Sequence, residues 1–419
     1  MRFRWTAFIF MVLLPLTIRA SNRIFSQQIK TLQAVVNDDW QSFPAVMRLG
    51  TDDQLRISFD ELSHDYHRYS YHIERCEPDW QLSEEVFDSD WLEGFNDNVI
   101  DDYATSVNTV IPYTHYEFEI PNSRCRLKMS GNYRLRILDD EETVASVDFM
   151  VTEQTMILSL EATTNTDIDL NQSHQQLSVS LNYNGTRVTN PDEQIFMVVM
   201  QNGRTDNQRS NIQPTFRNSN GLDWKHVSDL IFDAGNEYHK FEILDPSHPT
   251  MGIDRITWDG DNFQAYPFID EPRRNYIYDE DADGAFCVRN SDNRENNTTS
   301  EYVYVNYRLK TPWTSAGNIL VDGQWTTESP DHYMMTHDAD TGLWQARILQ
   351  KQGYYNYQYL FETADGSRRF LSSEGSFHQT QNRYQVFVYY KATGDRTWRL
   401  TAFRGILLAS SDVYDRTLQ

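Results

Sequence analysis

At 419 residues the chain exceeds what one hydrophobic core supports, so about two to four domains are expected. Its 39% hydrophobic and 13% aromatic content is that of a folded chain tilted toward strands, and the unperiodic glycines and prolines exclude collagen-like or low-complexity sequence. A net charge of −24 repels nucleic acid and anionic headgroups, which argues against both as partners.

Arg2 and Arg4 precede an apolar run from Thr6 to Ile18, and Ile18-Arg19-Ala20 ends in a small residue suited to cleavage before Ser21. This is the pattern of a secretory signal peptide over residues 1–20. The run falls short of the roughly 20 residues a spanning helix needs. No Cys lies near the cleavage point, so no lipid anchor is expected. No second long apolar segment follows, so the mature chain is expected to be exported and not inserted in a membrane.

The first expected domain covers 21–152. Strand-like pieces appear at Met47–Leu49, Leu55–Phe59, Tyr69–Ile73 and Tyr116–Ile120. In Tyr133–Leu138, Tyr133, Leu135 and Ile137 alternate with Arg134 and Arg136, the period of a half-buried strand. Between these lies a long polar stretch from Trp91 to Tyr116. Loops of that length without regular structure are uncommon unless functional or disordered, and its aromatic content argues against disorder.

A second domain is expected over 153–295. Leu177, Val179, Leu181 and Tyr183 alternate with polar residues, and Ile195–Met200 reads as a buried strand closed by Asn202-Gly203, a strong turn signal. The polar run 290–300 is the best linker candidate. The third domain, 296–392, alternates clearly in Glu301–Leu309 and Gly353–Phe361, and Tyr384–Tyr390 supplies another strand. A tail, 393–419, follows, with 405–409 as a possible edge strand. The fold class expected is all-β, as tandem immunoglobulin-like β-sandwiches.

Chemistry is sparse. There is no G-x-S-x-G, H-E-x-x-H, P-loop or G-x-G-x-x-G, so no catalytic residue and no cofactor is assigned. His64 and His67 would point to opposite faces of a strand, with His72 nearby, a poor metal set. Asp279, Asp281, Asp283 and Gly284 mimic the start of a calcium loop, but position 12 is Asn290 instead of Glu; a polar turn is expected, and no metal site is assigned. Cys76, Cys125 and Cys287 allow one disulfide, with Cys76–Cys125 the pairing favoured by position, or buried free thiols. In the third domain, Val321–Trp325, Gly342–Trp344 and Tyr354–Tyr359 are laid out as in glycogen- and starch-binding modules, whose exposed aromatics stack on sugars. Core filling is the competing reading of those aromatics.

Several segments carry a more specific likeness: Gln28–Gln33, Arg48-Leu49-Gly50, Ile57–Leu62, Cys76-Glu77-Pro78-Asp79-Trp80, Trp91–Asn98, Pro112–Tyr116 and Leu127–Tyr133. Farther on it continues in Gln201–Arg204, Ala234–Tyr238, Lys351–Tyr357 and Gly375–Thr380. In these, in order, the chain resembles the type IX secretion system plug family of Bacteroidota over nearly its whole mature length. The resemblance implies a non-enzymatic periplasmic protein, at the inner face of the outer membrane. It would be a monomer within a larger complex, closing the periplasmic opening of the outer-membrane translocon barrel. Trp91, Phe95 and Tyr113 are the candidate partner-binding aromatics; their alternative role is to pin the long loop to its own sandwich. The competing functions are a periplasmic carbohydrate-binding protein of a glycan-uptake system and a secreted enzyme of unseen active site.

Overall fold

The computed structural model describes residues 21–408 and 417–418; the expected signal peptide, 1–20, lies outside them. The chain is all-β. Among the described residues no helix exceeds four residues, and none is long and apolar enough to cross a membrane, a statement that does not bear on β-barrels.

In the first body, Glu142–Thr152, Gly131–Asp139 and Tyr69–Cys76 form an antiparallel sheet, extended by Arg23–Ile24, Asn98–Val99 and the parallel strand Val46–Arg48. It faces a second sheet of Ile29–Val36, Leu55–Glu61, Thr114–Ile120 and Tyr103–Thr105. Tyr133, Leu135 and Ile137 point into the core between them, while Arg134 turns outward to Asp148 at 2.8 Å, as the alternation requires. Phe59 stacks on Tyr116 with centroids 5.2 Å apart inside this core.

Strand Glu142–Thr152 is buried on both faces over most of its length. Ala145, Val147, Phe149 and Val151 enter the first core. Met150, on the opposite face, joins Val198, Met200, Phe387, Tyr389 and Leu400 in a smaller core shared with the second body. One strand thus serves two cores.

Strand pairing groups the later chain differently from a division at 295/296. His239–Ile243 and Phe286–Val288 pair with Gly353–Thr363, and Phe263–Pro267 pairs with Tyr302–Leu309. Residues 239–370 therefore build one two-sheet body around Phe241, Val303, Val305, Tyr307 and Tyr355. Asn382–Tyr390 instead pairs with Ile195–Gln201, and Arg399–Leu408 pairs with Asn382–Tyr390. These strands face Ile157–Thr163, His174–Asn182 and Gly221–Trp224 across a core of Leu177, Val179, Met197, Val386 and Ala402. The second body is discontinuous: the chain leaves it near 234 and returns near 381. The apolar, β-branched and aromatic run Tyr384–Tyr390 marks a strand but carries no record of its neighbour, so a strand closing the sheet begun at 195 reads as the end of the adjacent domain.

The polar run 290–300 lies inside the third body. Ser291 donates to the Leu244 carbonyl at 3.0 Å, and the Thr298 carbonyl accepts from the Val107 N–H of the first body at 2.8 Å. Asn202 and Gly203 both take positive φ, 54° and 65°, as the Asn-Gly turn requires.

Candidate functional site at the long loop and the body junctions

The stretch from Trp91 to Tyr116 is not structureless. Leu92–Gly94 pairs with Cys125–Leu127, Asn98–Val99 with Tyr69–Cys76, and Tyr103–Thr105 with Thr114–Ile120. Gly94 has φ +103°, and a Cβ there would collide with the Arg124 carbonyl oxygen, so only glycine lets the loop close on its partner strand. Asn96 fills a gap in the sheet edge: its Oδ1 accepts the Ile73 N–H at 2.8 Å, and its Nδ2 donates to the Ile73 carbonyl and to the Asp88 carboxylate.

The three candidate aromatics divide. Trp91 is 1% exposed and packs on Tyr133 with centroids 5.5 Å apart. Tyr113 is 0% exposed; its hydroxyl donates to the Ser300 carbonyl at 2.8 Å, and the Lys351 ammonium lies 4.0 Å from its ring centroid. Neither presents a surface to a partner, because each covers more apolar area by closing a core or junction than by standing in water. Phe95 does stand in water, 75% exposed. Phe87, which the sequence does not single out, is 74% exposed nearby.

Behind the loop, buried charge joins the bodies. Asp60 accepts from Lys351 at 2.6 Å, from His115 Nδ1 at 2.7 Å and from the Tyr302 hydroxyl at 2.7 Å. Burial alone would raise the Asp60 carboxyl's pKa; Lys351 and His115 outweigh it and hold it below the usual range. Lys351 also donates to the Asn297 carbonyl at 2.6 Å. Next to it the Glu301 carboxylate accepts the N–H groups of Val110 and Ile111. The second half of the long loop is therefore clamped to the third body. Separating the two would strand buried charges, which costs several kcal/mol.

The junction of the first and second bodies is built on Arg75 and Glu77. The Arg75 guanidinium donates to Tyr133 Oη, the Ser130 carbonyl, the Trp398 carbonyl and Thr397 Oγ1. Glu77 accepts from Thr397 at 2.8 Å and from the Trp398 N–H at 3.3 Å. At the crossing between the second and third bodies, Phe377 donates to the Gly235 carbonyl at 2.9 Å, and Asn236 Nδ2 donates to the Glu374 carbonyl at 2.8 Å. His239 sits between Asp270, at 3.0 Å, and Glu374, at 2.8 Å. Burial pulls the imidazole down, but the two carboxylates outweigh it and raise it to about 9. Burial also pushes the Glu237 carboxyl up to about 7; it accepts from Tyr276 at 2.5 Å and from the Gln381 N–H at 3.1 Å. Where the three bodies meet, Ser21–Phe25, Thr205–Asp206 and residues 320–322 and 326–330 line a cleft of about 620 Å³.

The other sequence candidates scatter. His64 bonds Ser106, His67 bonds Glu61 and His72 bonds Asp97. Asp279 pairs with Lys240, Asp281 accepts from the N–H groups of Tyr238 and Asp283, and Asp283 pairs with Arg383, so each carboxylate has a protein partner of its own. Among the described residues no group of three or more His, Cys, Asp or Glu is placed to hold a metal. Cys76, Cys125 and Cys287 are free. The favoured Cys76–Cys125 pair does not form, because Cys76 packs in the core shared by the first and second bodies and Cys125 in the first core. Trp325 and Trp344 are buried, and Trp325 Nε1 donates to the Asn356 carbonyl at 2.8 Å. Tyr355, Tyr357 and Tyr359 fill the third core, so these residues form no sugar-stacking platform.

Residues 29–153 match the model of the type 9 secretion system plug protein first domain. A solved structure of a hypothetical protein from Parabacteroides merdae superposes with a TM-score of 0.90 at 32% identity, over 93% of this chain and 100% of that one. The chain belongs to the type IX secretion system plug family. Membership connects it with type IX secretion and points to a non-catalytic, envelope-associated protein. An alkylpurine DNA glycosylase AlkC structure from Pseudomonas fluorescens matches at a TM-score of only 0.16 and 15% identity, over 32% of this chain and 30% of that one, too little to carry an argument. Among curated proteins nothing matches.

Several segments singled out in the sequence lie at the junctions. Ile57–Leu62 contains Asp60, Cys76–Trp80 contains Glu77, Lys351–Tyr357 begins with the junction lysine, and Ala234–Tyr238 meets Gly375–Thr380 at the crossing.

Proposed function

We propose that this plug-family chain is a periplasmic component of the type IX secretion system that docks on the outer-membrane translocon barrel and closes its periplasmic opening when no substrate passes. The observation that carries the reading is the set of buried ties at all three junctions, with Asp60–Lys351 at its centre. A stopper over a wide pore must hold its shape against ions and water. Bodies joined by buried charge and by a doubled chain crossing resist hinge motion, whereas bodies on flexible linkers move relative to one another by default. The acidic surface keeps such a body off anionic lipid. In this role one copy of the chain acts within a larger complex.

Deleting the gene while leaving the translocon intact tests the reading. Raised ion and small-solute leakage across the outer membrane, restored by the full-length chain, is the expected result. Unchanged permeability, together with no co-purification of a large outer-membrane barrel, would overturn it.

A further inference from the structure

The long loop carries a surface that the junctions leave unused. From Glu77 to Asp102 the chain holds ten acidic residues and no Lys, Arg or His. Out of this stretch project Phe87 and Phe95, 74% and 75% exposed. They sit on one lobe, since Asn96, next to Phe95, bonds the carboxylate of Asp88, next to Phe87, at 2.8 Å. The lobe is held stiffly. The Phe87 N–H donates to Asp90, which pairs with Arg396 of the second body at 2.7 Å. Arg396 also donates to the Glu85 carbonyl at 3.0 Å. Glu84, Glu85 and Glu93, each within three residues of Phe87 or Phe95 in the chain, are exposed, and no ion pair engages them among the described residues.

We infer that this lobe is a docking face for a protein surface that carries Lys or Arg around an apolar socket. Resting on the function proposed above, that surface is the periplasmic rim of the translocon barrel. Two exposed phenylalanines on a rigid support are the kind of anchor that dominates binding when buried. The carboxylates around them select the partner by charge, speed encounter and fix register. The same charge disfavours the other occupants. An anionic membrane face repels the lobe, and a second copy would set one acidic surface against its equal.

The test uses the full-length tagged chain recovered from native envelopes, with the barrel identified by mass spectrometry. Phe87→Ser/Phe95→Ser is expected to lower the captured barrel roughly tenfold or more, with an unchanged melting temperature. Glu84→Lys/Glu85→Lys/Glu93→Lys is expected to do the same and to weaken the salt dependence of capture. Ile277→Ser, on another exposed apolar position, is the comparison and should leave capture intact. If the unmodified chain captures the barrel and both lobe variants capture it equally well, the lobe is not the docking face while the plug reading stands. If the unmodified chain captures no barrel, the plug reading falls and this inference with it. Binding to anionic vesicles, or a dimer dissolved by the Phe87/Phe95 change, would replace the basic protein partner and overturn the inference.

Discussion

Asp60 and Lys351, 291 residues apart in sequence, meet at 2.6 Å with both side chains out of solvent. The pair spans the first and third bodies, and it is completed by His115 and Tyr302 on Asp60. Changing one partner leaves a buried charge uncompensated. Lys351→Met and Asp60→Asn should each destabilise the chain by about 3–5 kcal/mol, and the double change should cost less than the sum of the two. Urea unfolding of the four proteins checks this; additive losses would show that the contact contributes no coupling.

Glu237 makes the crossing between the second and third bodies sensitive to pH. Its folded value, about 7 against the ordinary 4.5, means that the folded state binds the extra proton between those limits. Its contribution is therefore fully present below 4.5, declines as pH rises and is lost above about 7, a change of about 3 kcal/mol. Glu237→Gln should remove that slope. The stability difference between variant and parent should shift in the variant's favour by a like amount from pH 4.5 to pH 8; a difference independent of pH would refute the assignment.

The cysteines supply a chemical check on the packing. Burial pushes the Cys76 thiol up to about 12 and the Cys125 thiol to about 11, and thiols so protonated react slowly. Ellman's reagent should find Cys76 and Cys125 inert in the native protein and all three cysteines reactive in denaturant without reductant. Only one reactive thiol after unfolding would mean that a disulfide forms.

The candidate aromatics should separate by mutation. Trp91→Ala removes a large side chain from the first core and should cost about 3–5 kcal/mol. Tyr113→Phe loses only the bond to the Ser300 carbonyl, worth about 1 kcal/mol. Phe95→Ser should change stability by less than about 0.5 kcal/mol. Thermal or urea unfolding distinguishes the three, and a large loss at Phe95 would place it inside a contact.

Much of the fold was legible in the strands themselves. The alternations around Tyr133, Val179 and Val305 each mark an inward face that the cores confirm, because side-chain direction in a strand follows directly from sequence position. The aromatics of Gly353–Phe361 could have filled a core or covered an exposed face, and period alone did not choose. The candidate aromatics of the long loop were less legible. Trp91, Phe95 and Tyr113 share a residue class and a polar context, yet two are interior and one is exposed. What separates them is which neighbour the loop meets, and that neighbour comes from residues far away in the chain. Asp60 and Lys351 gave no sign of their pairing, since a charged residue at a strand end is ordinarily solvated.

For the stretch from Trp91 to Tyr116, the sequence by itself determined the aromatic content, the acidic run that overlaps its start and the family likeness. It also determined the all-β class of the chain, since period-2 burial is a local property. The tertiary structure decided that the loop is short strands added to sheet edges, that Tyr113 enters a junction with the third body, and that Phe87 and Phe95 stay in water. It decided too that Asn382–Tyr390 closes the sheet begun at Ile195. The physical reason is common to all of these. Which face a residue shows follows from the residues beside it, but what covers that face depends on chain returning from hundreds of residues away, and burial is settled only when it arrives.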